Sequence, residues 1–228
     1  MNKLEHSEGP VIFYTHHGIF HADEAMAAAI LRMAGYELEI LRKAMDFTKE
    51  AVPINPNHEI VVDTGRIYDS AKGFFDHHQG RLQRSNKSYI ASAGLVWKSY
   101  GHDAIKRVIP KVAPEIKPEA INIGWTFDRV EKALIQPLDT WDADPNARAV
   151  MYGSNDQEFD MPHLARFISH MNYEYFKKNP KKQDLCFNFA VNFCLKILSY
   201  EVLNQARWVR DAIKFRSLVE EQFGGKVL

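Results

Sequence analysis

The sequence lacks the features that mark secreted, disulfide-stabilised and membrane proteins. It has two cysteines in 228 residues, Cys186 and Cys194. Eight residues apart on a helix, they would lie about 12 Å apart, too far for a disulfide, so we expect core thiols in a reducing compartment. An apolar N-terminal signal segment and a run of about 20 apolar residues are also missing, which argues against secretion and membrane spanning. We therefore expect a cytoplasmic protein.

The sequence also lacks an excess of charge of either sign. Lys and Arg number 29, and Asp and Glu number 29, so the formal net charge is zero. Such a chain has no overall attraction for nucleic acid, although a local basic groove is compatible with this composition. The hydrophobic content of 46% is enough for one sizeable core, or for one domain with a smaller appendage.

Hydrophobic patterning predicts an α/β fold with a mainly parallel sheet flanked by helices. Strand patterns at 11–15, 37–42 and 59–63 and a strong helix starting at Ala22 give the order strand, helix, strand, strand. A fourth strand is expected before Asp76. Further helical patterns are predicted at 91–100 with Gly101 as the stop, 120–138, 161–170 and about 184–223. We expect a flexible tail at 1–10, a metal-binding α/β domain at 11–150 and a smaller helical C-terminal region at 151–228.

Histidine and acidic residues follow three of these predicted strands. Residues 74–80 read Phe-Phe-Asp-His-His-Gln-Gly, residues 15–24 hold three His, one Asp and one Glu, and the strand at 60–62 ends in Asp63. In open α/β sheets, ligands bind beyond the carboxyl ends of the strands, so we expect these side chains to share one site. Imidazole and carboxylate suit divalent ions such as Mn²⁺. The sequence therefore predicts a metal site.

Two further segments are candidates for the same site. Asp139 and Asp142 follow a predicted helix, and one could bind metal while the other orients it; a helix-ending acidic loop is the alternative. The basic segment 80–88 contains Arg81 and Arg84, which could grip phosphate, or could belong to an ordinary flexible solvated loop. His163 and His170 are interpreted as structural or surface residues, since neither follows a strand.

The order of motifs is H-x-G-x-F-H-x-D-E, V-V-D-T-G, F-D-H-H-Q and D-x-x-D. This set resembles the DHH phosphoesterase superfamily and, more closely, the melanocyte-proliferating-gene-one (Myg-type) family of metal-dependent exonucleases. The resemblance covers roughly residues 11–222. The stretch Ser92-Ala93-Gly94-Leu95 looks similar as well.

The resemblance implies a DHH-type domain and a phosphodiesterase with two divalent ions, Mn²⁺ or alternatively Mg²⁺. By the superfamily pattern, one ion would be held by His16, His21 and Asp63, and the other by Asp23, Asp63, His77 and Asp142. His78 would contact the scissile phosphate, Asp76 would orient the imidazoles, and Glu24 would support the ligands. The residues leave open whether His16 or the adjacent His17 ligates, and whether Asp139 or Asp142 does. Arg81 and Arg84 are the candidate substrate-binding residues.

The residues and the resemblance leave three functions possible. The resemblance favours 3′ to 5′ exonuclease action on RNA or short oligonucleotides. The neutral charge and the short C-terminal region favour a phosphohydrolase for a nucleotide or pyrophosphate. The third is a non-catalytic metal-binding module, in which the long helix at 184–223 forms a homo-oligomer surface.

Overall fold

The computed structural model describes residues 9–43, 55–114, 116, 121–144, 163–172 and 179–223. The strands in these residues are β1 Val11–Thr15, β2 Leu38–Arg42, β3 Glu59–Val62, β4 Tyr68–Asp69 and β5 Phe74–Phe75. The helices are α1 Ala22–Met33, α2 Ser92–Val112, α3 Ile123–Val130, α4 Gln136–Ala143, α5 His163–His170 and α6 Pro180–Phe223. A short 3₁₀ turn, Ser70–Lys72, precedes β5, and a π-helical turn, Glu131–Ile135, joins α3 to α4.

The sheet is mostly parallel, as the sequence predicts. Its strand order is β2-β1-β3-β5-β4, with β4 antiparallel to β5 at one edge. The chain runs from β1 to the neighbour on one side, β2, and then crosses to the neighbour on the other side, β3. A crevice forms where the strand order reverses in this way, beyond the carboxyl ends of β1 and β3. The predicted ligand residues follow these two strands and β5.

Helix α1 is the centre of the core. Its alanine-rich sequence lets neighbouring elements approach closely, and it packs against both α2 and α6. One buried cluster contains side chains from α1, such as Met26 and Ile30, together with Phe187 and Cys194 of α6. The α/β part and the C-terminal helix therefore share one core. The boundary expected at residue 150 and the first eight residues of the tail expected at 1–10 lie outside the described residues.

Helix α2 does not stop at Gly101, so that prediction is wrong. The helix continues to Val112 and includes Pro110. Gly101 serves packing: a Cβ there would lie 2.7 Å from the Trp97 ring and 2.8 Å from the Phe127 ring. Those two rings stack with centroids 5.1 Å apart.

The helical region predicted at 120–138 also extends further than expected. Helix α3, the π-helical turn and α4 follow one another without a break from Ile123 to Ala143. Asp139 and Asp142 therefore lie on a helix and not in a loop after it.

Helix α6 has 44 residues and is the longest described element. By length and composition alone, part of it is apolar enough to cross a membrane, and 33% of that segment is buried in the fold. This differs from the sequence expectation of no such apolar segment. Cys186 and Cys194 lie on this helix as free thiols, as predicted.

Candidate metal centre

A cavity of about 730 Å³ opens at the carboxyl ends of β1, β3 and β5. It brings together most of the predicted site residues. Its lining includes His16, His21, Asp63, Asp76, His77, His78, Arg81 and Asp142. Three loops that follow strands and the end of α4 therefore meet at one place, as expected from the topology of an open α/β sheet.

Asp63 lies at the centre of this site. Its Oδ2 is 3.4 Å from Nε2 of His16, whereas its Oδ1 is 3.5 Å from Nδ1 of both His77 and His78. The residue is 4% exposed, and its φ of 55° lies in the left-handed region. A buried non-glycine residue in that region is strained, and such strain is concentrated at functional sites. The distances show that the two oxygens of Asp63 face two different sets of histidines.

The first set lies between the loop after β1 and the start of α1. Nε2 of His16 is 3.1 Å from Oε1 of Glu24, and the same oxygen accepts a hydrogen bond from the His21 backbone N–H at 2.9 Å. Oε2 of Glu24 is buried without a hydrogen-bond partner in the described part of the chain. The donor atoms of His16, His21, Glu24 and Asp63 all lie within 4.8 Å of one another. His17 is exposed, so the geometry favours His16 as the ligand.

The second set is built around His77, which directly follows β5 and Asp76. Nε2 of His77 is 3.4 Å from Oδ2 of Asp142, and Nδ1 is 3.8 Å from Oδ2 of Asp23. The donor atoms of Asp23, His77 and Asp142 again lie within 4.8 Å of one another. The extension of α4 is what brings Asp142 into this set. Asp139, one turn earlier, faces the interior and is fully buried.

The start of α2 supports both sets. Its first two backbone N–H groups, those of Ser92 and Ala93, donate to the two oxygens of Asp23 at 3.0 and 2.6 Å. The hydroxyl of Ser92 lies 3.1 Å from Nδ1 of His77 and donates to Oδ1 of Asp63 at 3.3 Å. Ser92 was not among the predicted site residues. The available signal was a small polar residue at the start of the helix after the Asp-His-His segment.

His78 and Asp76 form a directly bonded pair. Nδ1 of His78 is 2.7 Å from Oδ1 of Asp76, and the two Asp76 oxygens also accept the backbone N–H groups of His78 and Arg66. Burial alone would raise the pKa of Asp76, but these hydrogen bonds outweigh it and lower that pKa. The hydrogen bond to Asp76 raises the pKa of His78. Half of the His78 side chain is exposed to the cavity.

The Arg84 side chain is bonded to other groups of the protein. Its guanidinium donates to Oε1 of Glu131 at 2.6 Å, to Oδ2 of Asp139 at 2.5 Å and to the carbonyl of Tyr89 at 2.6 Å. These bonds hold the segment after β5 to α4 and to the helical turn before it. We therefore replace the substrate-binding prediction for Arg84 with a structural role. Arg81 is exposed and lines the cavity.

The site concentrates negative charge. Burial raises the pKa of Asp23, and the charges of Asp63 and Asp142 raise it further. Burial also raises the pKa of Asp63, with Glu24 and Asp142 adding to the effect. Burial would lower the pKa of His16, but hydrogen bonds to Asp63 and Glu24 outweigh it and raise that pKa to about 11. A bound cation would offset the repulsion between these carboxylates and favour their ionised forms.

Comparison with known proteins gives the family. A family model named MYG1_exonuc, described as an uncharacterised protein family (UPF0160), matches residues 12–226. The chain is 31% identical over 192 residues to the MYG1 protein YER156C of Saccharomyces cerevisiae, which covers 78% of this chain and 52% of the yeast protein.

Mammalian relatives carry a more specific name. The chain is 30% identical over 148 residues to the MYG1 exonuclease of Bos taurus, covering 60% of this chain and 36% of the bovine protein. The identity is also 30% over 139 residues to the MYG1 exonuclease of Homo sapiens, covering 56% and 34%. The match therefore spans about half of the yeast protein and about a third of the mammalian ones. No solved structure shows significant similarity to the chain.

Proposed function

Because the chain belongs to the MYG1_exonuc family (UPF0160), we propose that it is a metal-dependent phosphodiesterase that shortens RNA or short oligonucleotides from the 3′ end. We also propose that its α/β domain belongs to the DHH phosphoesterase superfamily. The observation that carries the proposal is Asp63, whose two carboxylate oxygens face the His16 set and the His77–His78 set separately.

The residues present fit two divalent ions. The donors are imidazole nitrogens and carboxylate oxygens, which suit Mn²⁺ well and leave Mg²⁺ as the alternative. Oε2 of Glu24 is buried without a hydrogen bond within the described residues, as expected for an atom that faces a cation. His16, His21 and Asp63 would hold one ion; Asp23, Asp63, His77 and Asp142 would hold the other. Such ions would acidify a water molecule and neutralise charge on a phosphate ester.

The remaining residues of the site would act on the substrate. With Nδ1 of His78 bonded to Asp76, its Nε2 is left to donate a hydrogen bond to a non-bridging phosphate oxygen. Asp76 holds the ring through one hydrogen bond and is itself fixed by the backbone N–H groups of His78 and Arg66, so the donor is held in place before the substrate arrives. Arg81, at the cavity edge, would pair with a phosphate oxygen.

A second candidate function is hydrolysis of a small nucleotide or pyrophosphate. The zero net charge favours it, because a polymer-binding enzyme gains affinity from an extended basic surface. The same metal ligands would serve either substrate. We also propose a cytoplasmic location, which the two free thiols support.

The test is hydrolysis of RNA and DNA oligomers labelled at either end, with Mn²⁺, Mg²⁺ or EDTA. Wild type is compared with His77→Ala and Asp63→Ala, and with Asp128→Ala, which removes an exposed acid on α3, as the matched control. We expect stepwise shortening from the 3′ end by wild type and the control only, lost in EDTA. Intact oligomers in the presence of metal-loaded wild type would overturn the proposal, and turnover of nucleotides alone would favour the second candidate.

A further inference from the structure

The cavity is larger than its metal ligands require, and its two sides differ in chemistry. Its volume of about 730 Å³ lies within the range of roughly 300–1,000 Å³ that holds whole small-molecule ligands. One side carries the histidines and carboxylates. The other side is formed by the segment after β5, from which Arg81, Leu82, Tyr89 and Ile90 line the cavity.

Residues 81–90 of that segment form a hydrogen-bonded hairpin. Backbone bonds of 2.9 Å join Ile90 N–H to the Leu82 carbonyl and Arg84 N–H to the Ser88 carbonyl. The Asn86 side chain accepts from the Ser88 N–H at 3.1 Å and from its hydroxyl at 2.7 Å, which closes the turn. The structure thus differs from the flexible loop that was one interpretation of the sequence.

The hairpin is also fixed to the helices behind it. Arg84, next to the turn, joins the hairpin to Glu131 and to the fully buried Asp139, and Asp139 in turn accepts the Gly94 N–H of α2 at 3.0 Å. The cavity-facing side chains are therefore held in position without a ligand. A surface that is already ordered loses little conformational entropy when it binds.

The side chains on this wall suit a flat, weakly polar group. Leu82 and Ile90 are half-buried because they also pack on the hydrophobic core. Tyr89 is half-buried as well and is among the residues that line the cavity. Arg81, at the same wall, is exposed and positively charged. A nucleobase stacks on aromatic side chains with little dependence on its identity, and an adjacent Arg suits the attached phosphate.

We propose that the wall formed by Leu82, Tyr89 and Ile90 binds the nucleoside of the nucleotide whose phosphate lies at the His and Asp cluster, with Tyr89 as the residue that stacks on the base. This inference rests on the proposed function for the position of the phosphate. It adds that the substrate is recognised as a nucleotide, whichever base it carries, and not as a bare phosphate ester.

Binding measurements test the wall directly. The full chain is loaded with Mn²⁺, and the affinities for AMP and ribose 5-phosphate are measured by calorimetry. Stacking of one base is worth about 1–3 kcal/mol, so wild type should bind AMP roughly 5- to 150-fold more tightly than ribose 5-phosphate. Tyr89→Ala should remove that preference and Tyr89→Phe should keep it. Tyr200→Ala, which removes an exposed tyrosine of α6, is the matched control.

A second arm separates failure of the wall from failure of the proposed function. Oligonucleotides that end in a normal or an abasic nucleotide are offered to wild type and Tyr89→Ala. We expect wild type to show a KM higher by the same factor for the abasic end, and Tyr89→Ala to treat both ends alike. Equal affinity for AMP and ribose 5-phosphate, no binding of either, or a preference that survives in Tyr89→Ala would overturn the inference. Hydrolysis of both ends at one rate would contradict nucleoside binding by the wall and leave the exonuclease proposal intact. Base-dependent AMP binding without any hydrolysis would support the wall and contradict the exonuclease proposal.

Discussion

Asp63 is the residue on which the two halves of the site meet. It follows β3 directly, its φ of 55° turns the chain sharply, and Gly65 with φ 95° completes the turn. The left-handed conformation costs free energy for any non-glycine residue, although Asn and Asp adopt it more readily than most others. The site retains this strained residue because the conformation aims one oxygen at His16 and the other at His77 and His78.

Asp63→Asn should separate metal binding from stability. Asn keeps the shape of the Asp side chain and tolerates a positive φ. The substitution removes a carboxyl group whose pKa is raised by burial and by neighbouring acids. We expect the metal-free variant to have an unchanged or higher free energy of unfolding, measured in urea. Its affinity for Mn²⁺, measured by calorimetry, should fall by at least about 100-fold. Wild-type affinity in this variant would show that Asp63 is not a ligand.

Ser92 is expected to position ligands without binding metal itself. Its hydroxyl contacts both His77 and Asp63, and residues that orient metal ligands typically contribute 10- to 100-fold in affinity. Ser92→Ala should weaken Mn²⁺ binding by about that factor. Ser99→Ala on the same helix is the control, since its buried hydroxyl makes no hydrogen bond among the described residues. Equal effects of the two substitutions on Mn²⁺ affinity would contradict this role.

Sequence alone could predict that most of the candidate residues lie together, because most of them belong to segments that follow a strand, and strand ends converge in a parallel sheet. The role of Ser92 could not be predicted, since it depends on where α2 begins in space relative to β3 and β5. The contacts of Arg84 could not be predicted for a similar reason. Its acidic partners, Glu131 and Asp139, are 47 and 55 residues away along the chain.

At the scale of elements, the hairpin and α4 are joined by one buried ion pair. The Arg84 side chain is 11% exposed and that of Asp139 is fully buried. Removing one partner of such a pair leaves a buried charge, which costs roughly 3–5 kcal/mol.

Arg84→Met is therefore expected to reduce the free energy of unfolding by about that amount, measured in urea. Adding Asp139→Leu should recover part of the loss, because the uncompensated charge is removed. Arg81→Ala, on the same hairpin, should leave stability within about 0.5 kcal/mol and change only substrate affinity. A stable Arg84→Met protein with weak substrate binding would restore the substrate-binding interpretation.

A substitution at Gly101 tests the packing of α2 on α3. Gly101→Ala places a methyl group 2.7 Å from Trp97 and 2.8 Å from Phe127. Overpacking of this kind typically costs about 1–3 kcal/mol, more than the helical preference for Ala returns. Gly124 occupies an exposed position on α3, and a Cβ there would lie 3.6 Å from its nearest neighbour atom. Gly124→Ala should therefore be neutral or stabilising by up to about 1 kcal/mol. A stabilised Gly101→Ala protein would contradict the packing assigned to this helix.

Strand alternation and the alanine-rich helix α1 made the sheet and its first crossover predictable. The end of α2 was not predictable, because a glycine reads as a helix stop unless the ring that needs its space is known. The same holds for α4: the acidic, proline-containing segment 137–145 is typical of a loop, yet it continues the helix as far as Ala143.

At the scale of the whole molecule, residues from three parts of the chain hold the loop between β1 and α1. Gln183 and Arg42 both donate to the Gly18 carbonyl, at 3.0 and 2.6 Å, and the Asn172 side chain bonds both backbone groups of Phe20. The loop that carries His16 is therefore fixed by residues more than 150 positions away. Sequence patterning could not show this link, and it treated the two parts as separate regions.

We propose that one chain holds two divalent ions, one at each of the two sets of residues around Asp63. Mn²⁺ titration followed by electron paramagnetic resonance tests it most directly, since ions about 3.5–4 Å apart are magnetically coupled. We predict two bound Mn²⁺ per chain with a coupled spectrum in wild type, and loss of the coupled signal in Asp63→Asn. A single uncoupled Mn²⁺ per chain in wild type, or a coupled pair that persists in Asp63→Asn, would contradict the account.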